Sequence, residues 1–298
     1  MENKTKNENA IKTYVNKEAY LFGNGINRTV NTSEDRYKWE NLLQDLNERF
    51  ANKKVSNIKE KPFPMVYDEI VNYSLRNGNS NESFVKSFIK SKIDKIKPNN
   101  RYSIVKRVRN SEVLTTNYDY LIEQELDYDW KRNPINRLEY YYSIYRFQKT
   151  PTNRVWHIHG EQADSRSLLL GFRHYINYAS KVKSRAELFL GGLKNNTEHN
   201  NPSWVELFFT HNINIIGLGM SFTEYPLWWL LAYRNQKMIS DPNIIINNKI
   251  NFFIPSFSER KNSNLIDLLK AYSVNCKVIE VNENDYDGFY EKVLRLNK

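Results

Sequence analysis

The sequence predicts an α/β fold: a parallel sheet with helices on both faces and a helical insertion. Short continuous apolar runs alternate with segments of helical periodicity, as strands buried on both faces and their crossover helices require. Glycine pairs sit at the joints between run and helix. One long stretch, 62–100, carries helical patterning and no strand-like run, which marks it as the insertion.

The first strand is Ala19 to Phe22, which runs into Gly23-Asn24-Gly25. A helix follows, capped by Thr32 or Ser33, with Tyr37, Leu42, Leu43 and Leu46 at helical spacing. Lys61-Pro62-Phe63-Pro64 breaks that pattern, and amphipathic segments follow at Met65 to Arg76 and Glu82 to Ile96. Ser111 to Thr115 reads as a strand, with a helix starting near Asp119. Arg154 to His157 is the next strand, ending at His159-Gly160. A helix covers Gly171 to Leu190 and stops at Gly191-Gly192. Another spans Ser203 to Phe209 behind Pro202. Asn214 to Ile216 is a buried-type strand leading to Gly217-Leu218-Gly219 and a helix rich in Trp and Leu (Trp228, Trp229, Leu230, Leu231). Strand Ile250 to Ile254, helix Ser263 to Tyr272, strand Lys277 to Val281 and helix Tyr286 to Leu296 complete the order.

Composition narrows the function classes. With 298 residues, 40% hydrophobic and 26% charged, the chain has enough apolar surface to fold. One cysteine, Cys276, excludes a disulfide scaffold and a multi-cysteine zinc ribbon. No apolar run of about 18 residues exists and residues 1–10 are polar, so the expectation is a cytoplasmic protein with no membrane partner. The net charge of +10 admits a nucleic-acid partner. Biased use of Lys, Asn and Ile explains it as well. The two basic clusters, Lys106/Arg107/Arg109 and Lys181/Lys183/Arg185, lack the interleaved aromatics of a stacking surface.

Open parallel sheets bind ligands beyond the carboxyl ends of their strands. Four joints therefore matter. Gly23/Gly25 and Gly217/Gly219 each follow an apolar run and precede a helix, where backbone N–H groups can approach a phosphate. Neither is a full GxGxxG, and no GxxxxGK[ST] occurs, which disfavours a hydride-transfer dehydrogenase and a P-loop nucleotidase. At Thr115-Thr116-Asn117-Tyr118-Asp119, Asn117 can hold a sugar hydroxyl or a water, and Asp119 can cap a helix; both residues also suit an ordinary cap. In Val155-Trp156-His157-Ile158-His159-Gly160 the two histidines point to one face of a strand. A metal pair lacks a third ligand. His159, followed by glycine at the strand end, is the better catalytic candidate, and His157 reads as a packed, hydrogen-bonded core histidine.

In that order the motifs Gly23-Asn24-Gly25-Ile26-Asn27, Thr116-Asn117-Tyr118-Asp119, His159-Gly160 and Gly217-Leu218-Gly219-Met220-Ser221 resemble those of sirtuins. They look most like the sirtuin-like NADases of bacterial antiphage defence, as does the stretch Ser221 to Leu231 (SFTEYPLWWLL) with Ser203-Trp204 ahead of it. The resemblance implies one Rossmann-like, NAD-binding domain over 1–298, with 62–100 as a helical insertion or subdomain. It implies an NAD+ glycohydrolase that splits NAD+ into nicotinamide and ADP-ribose, with NAD+ as substrate and no metal. Gly23, Asn24, Gly25, Ile26 and Asn27 would cradle the pyrophosphate; Gly217, Gly219 and Ser221 would face the phosphate and adenosine ribose. Asn117 would position the nicotinamide ribose or an attacking water, Thr116 and Asp119 would support the pocket, and His159 would be the general base. Abortive infection by NAD+ depletion is the implied role, restrained until a homo-oligomer or a separately encoded defence partner forms. Two other readings stay open: a nucleotide-binding subunit without catalysis, and an NAD-dependent protein deacylase. The deacylase reading lacks the four zinc cysteines and the Phe-Gly-Glu element, for which only Gly171-Phe172 lies in the region.

Overall fold

The computed structural model describes residues 17–27, 39–78, 81–129, 141–195, 202–242 and 244–296. Its centre is a seven-stranded sheet: β1 (Glu18–Phe22), β2 (Glu112–Thr115), β3 (Phe147–Lys149), β4 (Arg154–His157), β5 (Asn212–Ile216), β6 (Ile250–Pro255) and β7 (Val274–Ile279). The spatial order is β3-β4-β2-β1-β5-β6-β7, and every neighbouring pair is parallel except β3 with β4. The expected α/β architecture is therefore borne out, with one antiparallel edge strand added.

Alternation along the strands builds two cores. Ala19 and Leu21 of β1 join Leu114, Trp156, Ile213 and Ile215 on one face; Tyr20 and Phe22 join Val113, Val155 and Ile216 on the other. The first face is covered by α5 (Phe172–Asn195), α6 (Trp204–Thr210), α7 (Tyr225–Ser240) and α8 (Ser263–Ala271). The second is covered by α4 (Leu121–Glu125), α9 (Tyr286–Leu296) and a 3-10 stretch at Asn100–Val108. Between β1 and β2 lie α1 (Trp39–Phe50), α2 (Phe63–Arg76) and α3 (Glu82–Ile93). They form a separate apolar cluster, into which Tyr118, Leu168 and Leu170 reach from the sheet's carboxyl edge.

Two sequence expectations are corrected, and one strand, β3, is added. α5 runs through Gly191 and Gly192 to Asn195 instead of stopping at Leu190. A helical glycine costs about 1 kcal/mol, too little to end a helix whose other turns are packed. The last strand is Val274–Ile279, shifted from Lys277 to Val281, because an edge strand alternates buried and exposed residues and lacks the continuous apolar run. β3 has three residues, too few for a periodic signal. The proposed cap at Thr32 or Ser33, and Tyr37, lie outside the described residues.

From β1 the chain builds β2 and β4 on one side and then returns to β5 on the other. The switch point thus lies between β1 and β5, where both glycine turns emerge. Gly23 donates its N–H to Ile216 O at 3.0 Å and Gly25 donates to Gly217 O at 2.8 Å. A Cβ on Gly23 would stand 2.4 Å from Leu218 Cα, a backbone atom that cannot swing aside. Gly217 has φ +66°, and its own Cβ would meet the Tyr290 hydroxyl. Gly23→Ala is expected to lower the unfolding free energy by about 2 kcal/mol or more, as overpacking against backbone does. Gly191→Ala, in a helix with nothing within 4 Å of the new methyl, is expected to raise it by about 0.5–1 kcal/mol. Urea titration of both variants checks the contrast.

Candidate functional site

The turn after β1 is held from below by the stretch that precedes β2. Arg101 donates to Gly25 O at 3.1 Å and Asn99 Nδ2 to Ile26 O at 2.7 Å. The Tyr102 hydroxyl donates to Asn27 Oδ1. Asn27 Nδ2 in turn donates to Asn24 Oδ1 and to Asp119 Oδ2, both at 3.1 Å. Asp119 Oδ1 accepts the N–H of Leu121 at 3.2 Å in the turn that leads into α4; the N-cap position is Tyr120, with no side-chain capping bond, so the expected cap by Asp119 shifts to a turn contact one residue earlier. Burial pushes the Asp119 carboxyl up, and the Asn27 amide only partly offsets it.

Asn117 lies between these groups with its backbone fully engaged. Its N–H donates to Thr115 Oγ1 at 3.0 Å, and its carbonyl accepts from His157 Nδ1 at 3.1 Å. Its side-chain Nδ2 is buried and meets no hydrogen-bond partner among the described residues. Leaving a buried amide donor unmade costs about 1–3 kcal/mol, so an orphan donor held in place points to a ligand. Asn117 lines a cavity of about 400 Å³ together with Asn24, Asn27 and Asp119 from the strand ends. Trp39 of α1 and Lys95, just beyond α3, are among the residues that close its other side.

Beneath Asn117 is a buried network that the sequence reading did not find. His157 Nε2 lies 2.5 Å from Glu123 Oε1. Glu161 accepts from the Tyr120 hydroxyl and from Gln148 Nε2, each at 2.7 Å, and pairs with Arg146. Because a carbonyl only accepts, the Asn117 contact requires a proton on His157 Nδ1. Burial lowers the proton affinity of His157, but the Glu123 and Glu161 carboxylates outweigh it and raise its pKa to about 9. For Glu161, burial raises the pKa and the charges of His157 and Arg146 outweigh it, holding the carboxyl below its usual range. Glu123 carried a faint sequence signal, an acid inside the apolar α4 run LIEQE; Glu161 and Arg146 carried none.

His159 extends two residues beyond His157, which pairs with Thr115 of β2, just as Asn117 extends two beyond Thr115. The two thus leave adjacent strands at the same level. His159 is buried, its ring meets Tyr175 edge-on at 5.6 Å, and Nε2 is 3.1 Å from Glu224 Oε2 without the alignment of a hydrogen bond. It is not one of the residues lining the cavity. Gly160 has φ +97°, and a Cβ there would lie 2.2 Å from Ser167 O, so the turn after His159 requires glycine.

The other expected residues fall in three places. Gly23 and Gly25 spend their N–H groups on the carbonyls of Ile216 and Gly217, where the two turns pack backbone to backbone. Ile26 packs in the second core, and Thr116, also buried, ties its N–H to Phe22 O at 3.2 Å. Gly219 and Ser221 lie on the exposed loop before α7, where Ser221 Oγ accepts from Thr223 Oγ1 at 3.0 Å. The basic clusters are engaged within the protein. Lys106, Arg107 and Arg109 face Glu125, Glu291 and Asp127. Lys183 and Arg185 face Glu187 and Glu206, and Lys181 donates to Tyr141 O. Among the described residues no helix is long and apolar enough to cross a membrane.

Residues 111–225, which span β2 through the first residue of α7, match the family model of the SIR2-like domain. The sirtuin-like resemblance read from the motifs is borne out at this level, and the matched segment contains Asn117, Asp119, His157, His159 and Gly217. SIR2-like domains bind NAD+ and are typically NAD-dependent enzymes. No curated protein matches the chain.

The His157 network makes stability pH-dependent. A pKa raised to about 9 from the unfolded value of about 6.5 gives stability that is complete below about pH 6.5 and lost as pH rises through 9. The urea midpoint is expected to fall between about pH 6.5 and pH 9.5, and that fall is expected to flatten in His157→Gln.

Proposed function

We propose that the SIR2-like domain hydrolyses the bond between ribose and nicotinamide of NAD+, releasing nicotinamide and ADP-ribose. The observation that carries this reading is the buried, unpartnered Nδ2 of Asn117, held in a cavity at the carboxyl ends of β1 and β2. An amide donor with Asn24, Asn27 and Asp119 beside it suits a ligand rich in hydroxyls, such as the nicotinamide ribose.

In the reaction the C1′–N bond breaks and its electron pair goes to the nicotinamide ring, neutralising it. Water adds to C1′ and its proton passes to a base. The transition state has oxocarbenium character, so orientation of the ribose and of the water is the protein's main contribution. Asn117 orients; Asp119 and Asn27 keep the joint in place. His159 is the base. His157 does not suit that role, because both its ring nitrogens are committed, whereas His159 makes no aligned side-chain hydrogen bond. The same reading makes the chain an antiphage effector that kills by depleting NAD+, held inactive until it meets further copies of itself or a separately encoded partner.

The test is nicotinamide release from NAD+, followed by chromatography. The wild-type chain, alone or once assembled, is expected to turn NAD+ over. Asn117→Ala and His159→Ala are each expected to lose about 10²–10⁴ in rate while unfolding at near wild-type temperature. Wild-type rates in the double variant would remove both assignments. Deacetylation of an acetyl-lysine peptide without free NAD+ hydrolysis would favour the deacylase reading. NAD+ binding with no turnover in any assembly state would favour the binding subunit.

A further inference from the structure

Glu224 is the N-cap residue of α7, where the positive end of the helix dipole favours a carboxylate turned toward the helix N–H groups. Its side chain makes no capping hydrogen bond, and Pro226 already occupies the first helical turn. The carboxylate is turned instead toward the sheet. Its Oε2 is buried, has no aligned hydrogen bond, and lies 3.1 Å from His159 Nε2. Burying a carboxylate oxygen without an aligned hydrogen bond is costly, and the group it faces is the His159 imidazole, not a helix terminus.

We propose that Glu224 is a positioning residue for His159: it holds Nε2 as the protonated ring nitrogen, leaves Nδ1 as the base, and shares the positive charge that forms when His159 takes a proton. This rests on the hydrolytic reading above. In the balanced step, water gives its oxygen to C1′ and one proton to His159 Nδ1. The C1′–N electron pair leaves with nicotinamide, and Nε2–H stays against Glu224. No further reagent is needed. The loose 3.1 Å approach fits a catalytic contact, since such contacts often align only once substrate is bound. Among the described residues, the other titratable groups facing this pair are the phenols of Tyr118 and Tyr175. Burial first, and the Glu224 charge second, push both well above their ordinary range, so both stay neutral and neither competes as base.

Three variants test the assignment by steady-state nicotinamide release and by thermal unfolding. Glu224→Ala is expected to lose about 10²-fold or more in kcat with little change in KM. Glu224→Gln keeps an acceptor for Nε2–H but not the charge. It is expected to lose less, and the acid limb of its kcat/KM profile is expected to move to lower pH, because the imidazolium gives up its proton more readily without the carboxylate. Glu224→Asp is expected to recover part of the rate. A fall in unfolding temperature with kcat unchanged in all three would mark Glu224 as structural and overturn the proposal, as would an acid limb that stays in place in Glu224→Gln. If the wild-type chain releases no nicotinamide in any assembly state, the hydrolytic reading itself falls. Wild-type turnover with unaffected variants removes only the role of Glu224.

Discussion

The hydrogen bond from His157 Nδ1 to the carbonyl of Asn117 fixes the turn beyond β2 against the neighbouring strand β4, with which β2 already pairs. With that carbonyl taken and the N–H given to Thr115 Oγ1, the backbone of Asn117 cannot turn to satisfy its own side chain. The amide therefore stays unpaired in a buried place, a state that folding alone disfavours. The network beneath fixes this arrangement: Glu123 holds the far side of the imidazole, and Arg146 and Glu161 balance charge. Buried ionic groups of this kind contribute little net stability, and their value here lies in geometry.

The second constraint is the close approach of the two glycine turns at the switch point. An open sheet normally leaves a crevice there. In this chain the turns touch backbone to backbone, so the N–H groups of Gly23 and Gly25 are spent on Ile216 and Gly217 carbonyls. The open volume is displaced toward β2, between the strand ends and the helical layer of α1 and α3. Polar side chains (Asn24, Asn27, Asn117, Asp119) line that volume at the strand ends. Glycine here makes the crossing of the two turns possible, and recognition falls to amides and a carboxylate.

Much of this was legible in the sequence because of where the residues sit. β1, β2, β4, β5 and β6 lie inside the sheet, covered on both faces, and so read as short, largely apolar runs, with Asn212, Asn214 and Asn251 as interruptions in β5 and β6. The edge strands β3 and β7 did not, one for its brevity and one for its alternation. The joints were readable too, since glycine, asparagine and histidine at the ends of apolar runs are conspicuous, and His157 as a packed histidine followed from its place inside β4. What could not be read were partners far apart in the chain. Glu123 meets His157 across 34 residues, and Glu224 looks like a helix cap until its side chain is seen to turn away. The pairing of Gly23 with Gly217 was equally hidden, because spacing reports a turn but not what the turn packs against.

The account stands or falls on what the Asn117 amide is kept for. A crystal structure of the chain with ADP-ribose would show it most directly. The account predicts the ligand in the cavity between the strand ends and the helical layer, with a ribose oxygen within about 3.2 Å of Asn117 Nδ2. ADP-ribose bound elsewhere, or bound in that cavity with the amide still unpaired, would contradict it.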